Sequence, residues 1–195
     1  PRDVPKEDIV LAVGAVTPAK GYDLIVQGLA HLPQAIRPPM VLVSHAHNVA
    51  EREYLKKLAA DRGVTLDFRD LGQNGHLVKL YSAARMTAYT PYLEPLGLVP
   101  LESMACGTPV IGVREGGVRE TVLHGETGLL VDRDAEDFGR AVQTLMTEKK
   151  MAQRYGAQGM AYVKQHWSWD HTAQKAEQYL MAAASGVRGG GEGGR

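Results

Sequence analysis

The 195-residue chain has one cysteine, which excludes an internal disulfide framework and any multi-cysteine zinc or iron–sulfur site. Neither sign of charge is in excess, since 22 Lys+Arg stand against 22 Asp+Glu. A dedicated nucleic-acid binder usually carries a basic surplus, so no nucleic-acid partner is expected. Aromatics are few, and the eight tyrosines scatter without forming a stacking platform for bases. No apolar run approaches the ~18 residues that span a bilayer. Pro1 opens no signal peptide, and the lone thiol suits a reducing compartment, so a cytoplasmic location is expected. The remainder, 44% hydrophobic and 23% charged, is the composition of a soluble globular domain. At roughly 150 residues per domain the length allows one or two.

Short apolar, β-branched runs at 9–13, 40–44, 64–68, 86–89, 109–113 and 128–131 read as strands. They are continuous rather than alternating, which is the pattern of strands buried on both faces. Helical periodicities separate them, at 24–32, 49–62, 76–83, 98–106 and 119–123. Three further helices follow the last strand, at 135–147, 151–165 and beyond Ser168. Asn48, Asp134 and Ser168 are placed as N-caps. Alternating strands and helices imply right-handed crossovers and a parallel sheet. The expected architecture over 1–185 is α/β, a Rossmann-like doubly wound parallel sheet of about six strands with extra C-terminal helices. Residues 186–195 are a Gly-rich tail, expected to be disordered. Gly189, Gly191 and Gly194 formally match G-x-G-x-x-G, but no strand precedes them and no helix follows.

In open parallel sheets ligands bind outside the carboxyl ends of the strands. Three loops at that edge draw notice. The first, Gly14 to Gly21, has glycine at a strand end and Lys20 where the next helix begins, an arrangement suited to an anion. Taken alone, Lys20 reads more readily as a solvated lysine in a crossover loop, since charges usually face water. In the second, Glu94 and Glu102 flank a helix start at Gly97 or Leu98, with Pro100 in the first turn. The amides of Gly97, Leu98 and Val99 would point toward an anion, and a carboxylate accepts well from a vicinal diol. A solvent-facing Glu102 and a dipole-pairing Glu94 remain open on spacing alone. The third, Arg114 to Glu120, carries Gly116 and Gly117, which read equally as a functional loop and as a turn.

The stretch Glu94-Pro-Leu-Gly-Leu-Val-Pro-Leu-Glu102-Ser-Met-Ala-Cys-Gly-Thr-Pro-Val-Ile resembles the E-x7-E signature of glycosyltransferase family 4, of GT-B fold. Gly116-Gly-Val-Arg-Glu, Gly125-Glu-Thr-Gly-Leu-Leu-Val and Lys20-Gly21 extend the likeness over about residues 9–180. The resemblance implies retaining transfer of a sugar, of hexosyltransferase type, from a nucleotide-diphosphate donor without a metal or other cofactor. It implies that Glu102 accepts from the ribose hydroxyls, that Glu94 contacts the donor sugar, and that Lys20 neutralises the diphosphate. Gly14 and the amides around Gly97, Leu98 and Val99 would complete the donor site. One departure stands out: the family usually has Gly-Arg where this chain has Gly14-Ala15, so a second cation on the diphosphate is missing. The family also uses two Rossmann-like domains. This chain corresponds to the C-terminal, donor-binding one, the N-terminal acceptor domain being absent, and any peripheral membrane association would run through that absent domain. Alone it is expected to bind nucleotide and scarcely to transfer sugar. The alternative is a non-catalytic Rossmann-like module that binds a nucleotide or a partner.

Other residues carry plainer readings. His45 and His47 lack a third ligand nearby. Asp132-Arg133-Asp134 mimics a D-x-D metal motif, yet Asp134 is better placed as a helix cap. Cys106 is a small residue on the apolar side of the Glu102 helix.

Overall fold

The computed structural model describes residues 4–44, 48–70 and 75–185. His45, His47 and the Gly-rich tail lie outside the described residues. Six parallel strands form one sheet: β1 (Glu7–Val13), β2 (Met40–Ser44), β3 (Leu66–Asp70), β4 (Ala84–Tyr89), β5 (Val110–Val113) and β6 (Gly128–Val131). Their spatial order is β3-β2-β1-β4-β5-β6. The chain therefore starts at the centre, winds outward through β2 and β3, then returns across β1 to β4. This reversal is the topological switch point of a doubly wound fold. The intervening helices are α1 (Tyr22–Ala30), α2 (Val49–Asp61), α3 (Gly75–Ala83), α4 (Leu98–Ala105) and α5 (Val118–Thr121). Three more close the chain: α6 (Ala135–Thr147), α7 (Lys149–His166) and α8 (Trp169–Ala184).

Burial explains why β1 and β2 read as unbroken apolar runs. Val10 and Ala12 of β1 join Ile25 and Leu29 of α1 and Phe138 of α6 on one face. Ile9, Leu11 and Val13, the alternate positions, join Tyr81 of α3 on the other. The predicted caps are in place. Asn48 accepts from the Glu51 amide at 3.2 Å, Asp134 from Asp137 at 2.9 Å and Ser168 from His171 at 3.2 Å.

One strand is displaced from its predicted position. Residues 64–68 were expected, and β3 is Leu66–Asp70. Val64 instead closes the turn after α2, its amide donating to Ala59 O at 2.9 Å. The ladder to β2 then begins at Leu66 opposite Met40 and runs to Asp70 opposite Ser44. As an edge strand, β3 carries exposed Asp67, Arg69 and Asp70, which the apolar pattern does not mark.

At the far end α8 buries none of its residues, and Trp169, Tyr179, Leu180 and Met181 are all exposed. No helix among the described residues is long and apolar enough to cross a membrane.

Candidate functional site

The loops after β1, β4, β5 and β6 converge at the carboxyl edge of the sheet. After β1 a short 3-10 turn, Pro18–Lys20, ends at Gly21 in a left-handed conformation (φ 60°). The loop after β4 holds this turn in place. Thr90 Oγ1 donates to Gly21 O at 2.8 Å, and the Tyr92 amide donates to Ala19 O at 2.9 Å. Lys20 is thereby carried to Glu94, 74 positions away in sequence, and its Nζ lies 2.9 Å from Glu94 Oε2. Both side chains remain partly exposed, so either can exchange its partner for a ligand.

Glu94 sits in a constrained loop. Leu93 before it has φ 46°, the only positive φ at a non-glycine among the described residues. Such backbone costs about 1–3 kcal/mol and persists where its surroundings over-determine it. Here the surroundings come from the loops after β5 and β6. The Gly117 amide donates to Glu94 O at 2.8 Å. A Cβ built on Gly117 would stand 2.1 Å from Pro95 O, and one on Gly116 would stand 2.4 Å from Glu94 O. The glycine pair is therefore more than a turn: it lets two backbones touch. From the other side, Arg133 donates to Thr90 O at 3.0 Å and Pro91 O at 2.8 Å. It also makes a two-pronged pair with Glu115 at 2.8 Å, and its guanidinium lies over the Tyr92 ring at 3.8 Å. That pair holds the Glu115 carboxyl below its ordinary range.

The loop delivers the chain into α4 with Gly97 as N-cap at φ 83°. A helix start leaves its first amides without intrahelical partners, and Pro100 removes one of them. The tip is therefore positive and rich in donors. Leu98 at this tip is exposed, as are Tyr92, Leu93 and Leu96 in the preceding loop.

Glu102 lies one turn further along α4, on its exposed side, and accepts a 2.8 Å bond from the buried Tyr81 hydroxyl. Tyr89, at the end of β4, lies near enough to both acids for each to act on its hydroxyl. Its hydroxyl pKa is raised first by burial, then by the charge and hydrogen bond of Glu94, and further by Glu102. The charges of both carboxylates thus reach the same phenol.

The remaining predicted residues fall out differently. Gly14 has φ 142°, and a Cβ there would meet the Tyr22 hydroxyl at 2.8 Å. Its vacant side chain position is therefore taken up from within by Tyr22, whose buried hydroxyl has no hydrogen-bond partner among the described residues and whose pKa burial raises. Neither Arg114 nor Arg119 is seen taking the place of the arginine missing at Ala15. Arg114 donates to Leu130 O and stands 3.7 Å from Asp132, while Arg119 donates to Gly116 O. Asp134 is occupied as the α6 cap. Cys106 is half-buried, and burial pushes its thiol pKa up, away from nucleophilic use. A cavity of about 350 Å³ lies at the opposite end of the sheet, lined by Lys6, Arg85 and Cys106 among others, and no predicted site residue lines it.

Sequence reasoning missed Arg133, Tyr81 and Tyr89 as parts of the site. Arg133 was legible only as a residue following a strand at the ligand edge; nothing local marks its partners 18 to 43 positions away.

A model of the family Glycosyl transferases group 1 matches residues 2–161. The chain is 34% identical over 190 residues to the D-inositol 3-phosphate glycosyltransferase of Rhodococcus jostii, covering 93% of this chain and 42% of that protein. Among solved structures, sucrose-phosphate synthase from Thermosynechococcus elongatus superposes with a TM-score of 0.80 at 32% identity, over 95% of this chain and 47% of that one. Anabaena HepE in complex with UDP superposes with a TM-score of 0.76 at 23% identity, a likeness of fold, over 89% of this chain and 49% of that one. The chain thus spans less than half the length of these relatives.

Proposed function

The chain belongs to the group 1 glycosyl transferases, and from that premise we propose that it is the donor-binding half of a retaining hexosyltransferase using a nucleotide-diphosphate sugar. The observation that carries this is the Lys20–Glu94 pair at 2.9 Å, set just ahead of the open start of α4. In this pair each neutralises the other. A diphosphate draws Lys20 to itself and frees Glu94 to accept from hydroxyls of the donor sugar. Glu102 accepts from the ribose, and the amides at Gly97, Leu98 and Val99 face the diphosphate. Departure of the nucleotide diphosphate leaves negative charge on its terminal phosphate. In this scheme Lys20 and the helix tip offset that charge in place of a divalent ion. The UDP held by HepE, a protein of the same fold, is in keeping with such a ligand.

Acceptor binding is assigned to an N-terminal domain outside this chain, so transfer by the chain alone is expected to be slight. The exposed apolar side of α8 is in keeping with a missing packing partner. The family chemistry and the single half-buried thiol favour a cytoplasmic setting. Ala15 favours a second reading, a nucleotide-binding module without transfer activity.

Calorimetric titration with UDP, GDP and ADP tests the donor site. At least one should bind the folded chain, and Glu102→Gln should weaken it roughly tenfold through lost charge-assisted bonds. No binding of any of the three at roughly millimolar concentration would refute the donor-site assignment. Joined to an acceptor domain, labelled donor distinguishes transfer from binding alone.

A further inference from the structure

Tyr81 and Glu102 share a 2.8 Å hydrogen bond but lie in opposite surroundings. Tyr81 is 2% exposed, packed in the cluster formed by Ile9, Leu11, Val13 and Val41 beneath α3. Its main chain is pinned as well, since Tyr81 O accepts from the buried Thr108 Oγ1 at 2.5 Å. Glu102 projects from the exposed side of α4. An exposed glutamate ordinarily spreads over several rotamers and loses that freedom on gripping a ligand. A bond from an immobile phenol removes much of it beforehand. It occupies one lone pair of Oε2 and leaves Oε1 with the remaining Oε2 lone pair for a ligand. Burial, and then the negative charge of Glu102, push the Tyr81 pKa upward, so the phenol remains the donor throughout the physiological range.

We propose that Tyr81 is a positioning residue that presets Glu102 for a vicinal diol, so that the pair reads the intact ribose of a donor nucleotide and discriminates against deoxyribose forms. This rests on the assignment of Glu102 to the ribose given above. A diol needs two acceptor positions at a fixed spacing. When one hydroxyl is missing, a tethered carboxylate cannot swing to recover the lost bond, and the deoxy form binds poorly. A carboxylate released from Tyr81 re-aims at whichever hydroxyl is left. Ribo and deoxy forms then become more alike.

The test titrates UDP, 2′-deoxy-UDP and 3′-deoxy-UDP into the wild type, Tyr81→Phe and Glu102→Gln, with the GDP or ADP series used instead if that base binds more tightly. The wild type should prefer the ribonucleotide over each deoxy form by about tenfold. Tyr81→Phe removes one oxygen and keeps the buried ring, and should cut this preference to about threefold or less. Tyr81→Leu also removes the hydroxyl while leaving Glu102 intact, and should do the same; it serves if Tyr81→Phe does not fold. A folded Tyr81→Phe or Tyr81→Leu that keeps the tenfold preference overturns the proposal, whether or not all three ligands weaken together. If Glu102→Gln leaves the preference untouched, the ribose assignment itself fails and the proposal falls with it. If Glu102→Gln abolishes the preference and Tyr81→Phe preserves it, the assignment stands and only the role of Tyr81 is refuted.

Discussion

Replacing Gly117 by alanine tests whether the loop after β5 holds the Glu94 loop in place. Gly117 has φ −72° and ψ −7°, a conformation alanine adopts freely, so the substitution adds no backbone strain. What it adds is a methyl group 2.1 Å from Pro95 O, 2.6 Å from Pro95 C and 2.9 Å from Leu96 Cα. These are backbone atoms and cannot swing aside as a side chain end would. Real Cβ contacts essentially never fall under 3.0 Å, so the two loops must part by about 0.9 Å. That movement stretches the 2.8 Å bond from the Gly117 amide to Glu94 O and shifts the approach to Gly97. Overpacking of this kind costs about 1–3 kcal/mol, which for a domain this size lowers Tm by roughly 2–12 °C. Displacements near 1 Å can cost up to ~100-fold where geometry is preorganised, and at least about a tenfold loss of nucleotide-diphosphate affinity is expected here. Gly125→Ala is the control. It forces alanine to φ 80° with nothing within 4 Å, so it should cost about 1 kcal/mol of stability and leave affinity unchanged. Thermal melts and calorimetric titration on both variants provide the comparison. A folded Gly117→Ala that binds nucleotide like the wild type would show that the donor site does not depend on this contact.

Two further substitutions probe the loop after β1. Ala15→Arg restores a cation beside the Lys20 turn and should tighten nucleotide-diphosphate binding about three- to tenfold, more at low salt than at high; an unchanged titration would place position 15 out of reach. Tyr22→Phe removes a buried hydroxyl that lacks a partner among the described residues, so thermal unfolding should show equal or greater stability, by up to about 1 kcal/mol. A clear loss of stability would mean that the hydroxyl is satisfied after all.

Much of this protein is written in short windows of its sequence. Asn48, Asp134 and Ser168 cap the helices assigned to them because a cap is a contact over three residues. The unbroken apolar runs foretold strands covered on both sides, since β1 distributes Ile9, Leu11 and Val13 to one layer and Val10 and Ala12 to the other. Glu94, Gly97 and Glu102 announce a helix start between two acids within nine positions, and α4 begins where they imply. Lys20 and Glu94 could each be named from the chain, but their meeting could not, because the contact crosses 74 positions and exists only where β1 and β4 lie side by side.

The tertiary structure alone decided how that helix start is held. Arg133 grips the main chain at Thr90 and Pro91, Gly117 touches Pro95, and Tyr81 reaches Glu102 from beneath α3. The two-residue shift of β3 is of the same kind, for its bounds follow the ladder to Met40–Ser44 more than its own apolar pattern. Local preferences act through neighbours along the chain and leave a local trace. Cross-sheet hydrogen bonds and close backbone approaches depend on which loops the strand order brings together, and no short stretch of sequence records that order.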